Sequence, residues 1–194
     1  IDAGTIQAGE FVRFQGRGVD IGANTANRFT FNLAPARSNG IITLAVIENE
    51  VGGLNFATHH LNGHEAATEF FGVLDVYNAA TAGLVGMGTF STMLAGSTAS
   101  TNVRLTGNET VNGVINAHAV LLAGGGIVVS GTGSINLGSG LLGASGTGNT
   151  VSVTGLSFGD TESHVFVTRD GELTVTSGVH GIPSVNETQR VTVV

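Results

Sequence analysis

Cysteine, lysine and tryptophan are all absent from this 194-residue chain, which also has only two prolines and one tyrosine. Each gap excludes something. Without cysteine there are no disulfides and no thiolate metal ligands, so a buried core must supply the stability. Without lysine, all basic charge rests on seven scattered residues: Arg13, Arg17, Arg28, Arg37, Arg104, Arg169 and Arg190. Together with a net charge of −7, this leaves no basic stripe for a phosphate backbone, which argues against nucleic-acid binding. Two prolines rule out a collagen or a proline-rich linker. With tryptophan missing and Tyr77 alone, sugar stacking has little to draw on beyond ten phenylalanines. Charged residues make up 11%, against roughly 25% in an ordinary soluble domain. No apolar run reaches the ~18 to 20 residues of a membrane-spanning helix. The run Gly40–Ile47 is short and is followed by Glu48 and Glu50.

What fills the space is glycine, at 31 residues, and a hydrophobic share of 41%. The apolar residues are rich in Val, Ile and Leu, and Thr, Ser and Asn separate them. That is the composition of an all-β protein with many tight turns, large enough for one buried core or two small ones. In the first hundred residues the strands read as irregular. Glu10–Phe14 is a mixed run ended by Gly16 and Gly18, and Arg28–Leu33 alternates as a half-buried strand. Asn39-Gly40 is a strong hairpin-turn signal. Ile41–Ile47 reads as a buried strand or a short helix, with length and β-branching favouring strand, and strand returns at Val73–Tyr77. Only His64–Phe71 has helical propensity, over two turns.

From Thr101 the texture becomes regular. Short apolar runs recur at Val111–Ile115, Ala119–Leu122, Ile127–Val129, Ser134–Leu137, Val151–Thr154, Val165–Thr168, Leu173–Thr176 and Val191–Val194, with Gly, Asn, Ser or Asp in the gaps. A spacing of about eight residues predicts strand–turn–strand coils of roughly 20 residues per turn, a parallel β-helix. Inward Val, Ile and Leu would stack on equivalents one turn away, with Gly and Asn at the corners. The expected organisation is an irregular β-rich part over 1–100 and a β-helix region over 101–194, as one continuous solenoid. An antiparallel sandwich or jelly roll uses the same residue types and is the alternative.

The order of these runs carries a resemblance. Thr101-Asn102-Val103-Arg104-Leu105 is followed by Val111–Asn116, Ala119–Gly125, Val129–Leu142, Gly148–Ser152, Leu156–Gly159 and Glu172–Ser177. This succession resembles the passenger regions of large bacterial proteins with autotransporter-associated β-strand repeats, common in planctomycetes. Asn39–Ile42 and Asn55–Thr58 resemble the segments that precede those repeats, so the likeness runs from about Asn27 to Gly178. At Gly181–Glu187 the chain departs from the family, whose next coil is glycine- and threonine-rich. The resemblance implies a parallel β-helix exported to the bacterial cell surface as an adhesin, fibre or scaffold.

Candidate chemistry is sparse. His59, His60, His64 and Glu65 form the densest polar cluster and are the candidate ligands for Zn²⁺ or Ni²⁺. Asn62-Gly63 breaks the helix that would align His60 with His64, and solvated loop histidines are the simpler reading. Two carboxyl pairs, Asp160 with Glu162 and Asp170 with Glu172, could serve glycoside hydrolysis, but each adjoins a turn glycine. A lyase of this shape would need a basic residue as proton acceptor, and no acidic cluster can be paired from sequence with Arg104 or Arg169. Gly124–Ile127 and Gly131–Ser134 lack the aspartate of calcium-binding rolls and the lysine of a phosphate loop. Asn108–Thr110 and Asn186–Thr188 match the glycosylation sequon.

The expectation is therefore a non-catalytic structural or adhesive segment without a cofactor, extracellular or on the cell surface. Its strand-like end at Arg190–Val194 and its start at Ile1 suggest a coil continued in the same chain or by self-association through terminal coils. Surface glycans or other surface proteins are the further expected partners. The alternatives are a phage or virus decoration or fibre subunit and a carbohydrate-binding or polysaccharide-cleaving β-helix.

Overall fold

Parallel pairing between strands 17 to 24 residues apart organises the C-terminal half. In the computed structural model, the described residues are 11–18, 21, 30–31, 37–42, 45–50, 53–61, 69–73, 90–159, 164–168 and 170–180. They are all-β, with no helix among them. The chain divides into two compact units, Ile1–Thr89 and Phe90–Val194.

Unit 1 contains β1 (Val12–Gly16), β2 (Thr30–Phe31), β3 (Arg37–Ser38), β4 (Ile41–Ile42), β5 (Ala45–Asn49), β6 (Gly53–Leu61) and β7 (Glu69–Val73). Its main sheet has the order β1-β5-β6-β7-β2. Only β1 and β5 run parallel there; β5, β6, β7 and β2 pair antiparallel in sequence. The Asn39-Gly40 turn is as expected. Both residues have positive φ, 48° and 82°, the type I′ geometry that matches strand twist, and they close the β3–β4 hairpin with Ser38 opposite Ile41.

Ile41–Ile47 is buried wherever it is described, but it is not one strand. Ile41–Ile42 pairs with β3, whereas Ala45–Ile47 belongs to β5 between β1 and β6. Apolar continuity reports burial and does not report a change of partner. Of the run with helical propensity, Glu69–Phe71 is strand, because pairing with β6 outweighs a two-turn helix that is marginal alone. Residues 64–68 lie outside the described residues, as do the rest of Arg28–Leu33 and of Val73–Tyr77 beyond the strand residues given.

Ile21, Ile42, Ala45, Ile47 and Ala57 form the core of this unit, with Val12 and Phe14 against it. Asn49 is buried beside it, and its Oδ1 accepts the Ile21 N–H at 2.9 Å. A Cβ on Gly16 would strike that same oxygen, so glycine is required where β1 passes it.

Unit 2 is a β-solenoid of about three turns. Its strands are β8 (Asn102–Leu105), β9 (Glu109–Thr110), β10 (Val114–Ala123), β11 (Val128–Ser130), β12 (Ser134–Ser145), β13 (Asn149–Ser152), β14 (Gly155–Ser157), β15 (His164–Val167), β16 (Leu173–Val175) and β17 (Gly178–His180). Every pairing among them is parallel. That excludes the antiparallel sandwich for this unit.

Each turn has three faces. One stacks β9, β11, β13 and β16. A second stacks the first halves of β10 and β12 on β14 and β17, and a third stacks β8 on the second halves of β10 and β12 and on β15. The long strands bend between the second and third faces, where the register shifts between Ala117 and Ala119. Ser139 secures the bend: its Oγ donates to the His118 carbonyl at 2.6 Å and accepts the Leu141 N–H at 3.3 Å. One turn spans 20 residues between Asn116 and Asn136 and 24 between Val153 and Ser177.

The coil begins earlier than Thr101. Ser91 bridges to Val103 in parallel, and Leu94 is 1% exposed within the core cluster. The segment 91–100 reads as loop because Ser91 and Ser97 hydroxyls bond the Met93 backbone and hold it in turns; Leu94 is its one core residue.

Candidate functional site

Stacking in register turns each strand position into a column, and the columns define every surface the coil offers. Inward columns are apolar: Ile115, Ile135, Leu156 and Val179 on one face, Val103, Val120, Leu142 and Val165 on another. They meet around a void of about 10 Å³ lined by residues such as Val120, Leu137, Val151 and Leu156. That space is entirely apolar and holds at most about one water. The axis is a packed core, with no room for a ligand.

The outward columns of the first face carry hydroxyls. Thr110, Ser130 and Ser152 align, as do Thr150 and Thr174 beside the partly exposed Val128. On the second face Asn136 Nδ2 donates to Asn116 Oδ1 at 3.0 Å, and Ser157 and His180 follow in the same column. Rungs lie about 4.8 Å apart in such a stack, so these are ladders of hydroxyl and amide groups, with the His180 imidazole at the end of one. The third face differs. Ala119, Leu121 and Leu141 alternate with the core residues Val120, Leu122 and Leu142, yet are themselves 0% exposed. Buried on both sides, this layer reads as the continuous apolar run Ala119–Leu122, as doubly covered strands do.

Corners carry the buried polar groups. Asn149, 0% exposed, accepts the Ile127 N–H at 3.0 Å and donates to the carbonyls of Ser145 and Gly146 at 2.8 and 3.2 Å. At the opposite corner Ser177 Oγ accepts the Val153 N–H at 3.0 Å. There the coils come so close that a Cβ on Gly131 would overlap the Val111 carbonyl, and one on Gly133 the backbone of Gly113.

Those residues singled out from sequence that fall among the described residues are not brought together into one site. His59 and His60 lie in β6, opposite Phe71 and Phe70 of β7; the helix that would have aligned His60 with His64 is absent at His60. His64 and Glu65 fall outside the described residues. Among the described residues no three His, Asp or Glu gather as a metal site would require. Asp160, Glu162 and Arg169 also lie outside them. Asp170 and Glu172 are exposed in the turn before β16, where the Gly171 N–H bonds Thr168 O and the Glu172 N–H bonds Gly146 O, each at 2.8 Å. They are turn residues, as their neighbouring glycine implied. Arg104 lies over the Phe90 ring at 5.7 Å, a cation–π contact at the start of the coil. Asn108, of the first sequon, is exposed and its Oδ1 accepts the Val128 N–H at 2.8 Å.

The polar ladders and the Asn149 corner escaped the residue-by-residue reading. The signal was present in Val114-Ile115-Asn116 and Ser134-Ile135-Asn136, the same pattern one turn apart. No family model, curated protein or solved structure matches this chain.

Proposed function

We propose that this chain is a non-catalytic structural module of a bacterial cell-surface or extracellular β-solenoid, acting as scaffold and attachment surface. One observation carries the reading: a filled apolar axis stacked in parallel, whose first and second faces bear columns of hydroxyl and amide groups. A stack of this kind extends by repetition and gains stability from each neighbouring turn. Its hydroxyl and amide ladders suit adhesion through many weak contacts to surface glycans or neighbouring surface proteins. The resemblance to autotransporter-associated repeats, in which such coils are exported, supports the same placement.

Brief protease treatment of intact source cells, followed by mass spectrometry of the released peptides, tests it. Peptides from this chain are expected in the released fraction, from a polypeptide whose denatured mass exceeds 19.5 kDa. Recovery only after lysis would contradict the surface reading, and a native mass of 19.5 kDa would contradict the module reading.

A further inference from the structure

Asn-Gly occurs three times in this chain, at Asn39-Gly40, Asn62-Gly63 and Asn112-Gly113. The pair carries a chemistry of its own. The backbone nitrogen of the glycine, unshielded by a side chain, can attack the side-chain amide carbon of the preceding asparagine. A cyclic imide forms and ammonia leaves. Water then opens the ring at either carbonyl and gives aspartate or isoaspartate, in which the main chain runs through the side-chain carbon. The balance is amide plus water to acid plus ammonia, with nothing oxidised or reduced. Because the peptide must rotate until the nitrogen faces the amide carbon, the backbone setting decides which pair reacts.

The two described pairs are set differently. Asn39-Gly40 is clamped: both residues have positive φ in a two-residue turn whose strands pair at Ser38–Ile41 and Arg37–Ile42. Rotating that peptide would undo the hairpin. Asn112-Gly113 lies between β9 and β10, outside any strand, and both residues are exposed. No hydrogen bond joins Asn112 to a described residue. Apart from its chain neighbours, no atom lies within 4 Å of where a Cβ on Gly113 would stand, so the space beside the attacking nitrogen is open. Asn62-Gly63 lies outside the described residues.

Gly113 also sits where the coil has little slack. Its carbonyl accepts the Ser134 N–H at 3.0 Å, and a Cβ on Gly133 would overlap that same carbonyl. Isoaspartate inserts one further methylene into the main chain immediately before it. We propose that Asn112-Gly113 is a self-modifying site, which converts through the cyclic imide to aspartate and isoaspartate, and that isoaspartate there loosens the hold of the first turn on the second. The inference uses the fold and the chain's own chemistry and holds whatever the faces bind.

The test holds the full 194-residue chain, folded, in mildly alkaline buffer and maps its peptides by mass spectrometry at intervals. The Asn112 peptide should gain the mass of an amide-to-acid change and separate into aspartyl and isoaspartyl forms, while the Asn39 peptide stays unchanged. Gly113→Ala, whose methyl has free space but shields the nitrogen, should lose the conversion. Amide exchange of the aged parent should show lost protection at Ser134. Freshly prepared Asn112→Asp, which adds the charge on an ordinary main chain, should keep that protection. The proposal is overturned if Asn112 persists in the folded chain but converts in urea, or if Asn39 converts alongside it. It is equally overturned if Gly113→Ala converts as the parent does, since the glycine nitrogen would then not be the nucleophile. Retained Ser134 protection in the aged parent, or its loss in Asn112→Asp, would also overturn it, because main-chain length would then not be what loosens the corner.

Discussion

Asn49 in unit 1 and Asn149 in unit 2 present the same amide, both buried, and each accepts a backbone N–H from far along the chain. The separations are 28 residues for Asn49 with Ile21 and 22 for Asn149 with Ile127. In unit 1 that bond is an individual arrangement: it pins Ile21 against the core and dictates Gly16 beside it. In unit 2 it sits at a corner of a stack, where the separation is one turn and neighbouring corners meet the same need by other means, such as Ser177. Unit 1 is specified by particular partners, unit 2 by columns. A substitution in unit 2 should therefore be judged by the residues one turn above and below, and one in unit 1 by its own contacts.

The largest effects should come from the two cores. Phe56→Ala in unit 1, where Phe56 is 0% exposed, should cost about 3–5 kcal/mol. Leu122→Ala in unit 2 should cost about 2–5 kcal/mol, since Leu105 and Ala144 hold the adjacent turns in place. Urea unfolding measures both. Refilling across the column sharpens the contrast: Ala144→Leu should recover part of the Leu122→Ala loss, because the two side chains share one column.

Next come the corners. Asn149→Ala leaves the Ile127 N–H and two carbonyls without their side-chain partner and should destabilise the coil by about 1–3 kcal/mol. Gly131→Ala, forced to a φ of 134° against the Val111 carbonyl, should cost about 1–3 kcal/mol. Thermal melts followed by circular dichroism read both.

The sequence showed unit 2 more clearly than unit 1, for a physical reason. A repeated turn writes the same pattern many times, so Ile115-Asn116 and Ile135-Asn136 reveal the period even though each motif alone is weak. Asn39-Gly40 was equally legible, since only residues tolerant of positive φ make that turn. What stayed hidden depended on partners. Nothing local distinguishes Ile41–Ile42 from Ala45–Ile47, yet they join different sheets. Leu94, alone among turn residues, gives no hint that it belongs to the core of the coil. Glu109 looked like part of a sequon, and only the register sets it beside Val129 in a column of valines. The histidine cluster illustrates the same limit: proximity in sequence put His59, His60, His64 and Glu65 together, whereas β6 assigns the first two to a strand paired with β7.

The smallest effects belong to the exposed groups. Asn136→Ala removes the exposed Asn116 link and should change stability by less than about 0.5 kcal/mol. Breaking the Arg13–Glu48 ion pair, 3.0 Å and partly exposed, should cost under about 1 kcal/mol and less in high salt. Chemical denaturation with and without added salt separates the two.

The contrast between units rests on parallel stacking in unit 2, and inter-strand NMR contacts test that directly. For a coil, Ile115 should contact Ile135, Val129 should contact Val151, and Leu142 should contact Val165, with partner numbers rising together along every strand. Contacts in which one partner's number falls as the other's rises would mark antiparallel hairpins and contradict the solenoid.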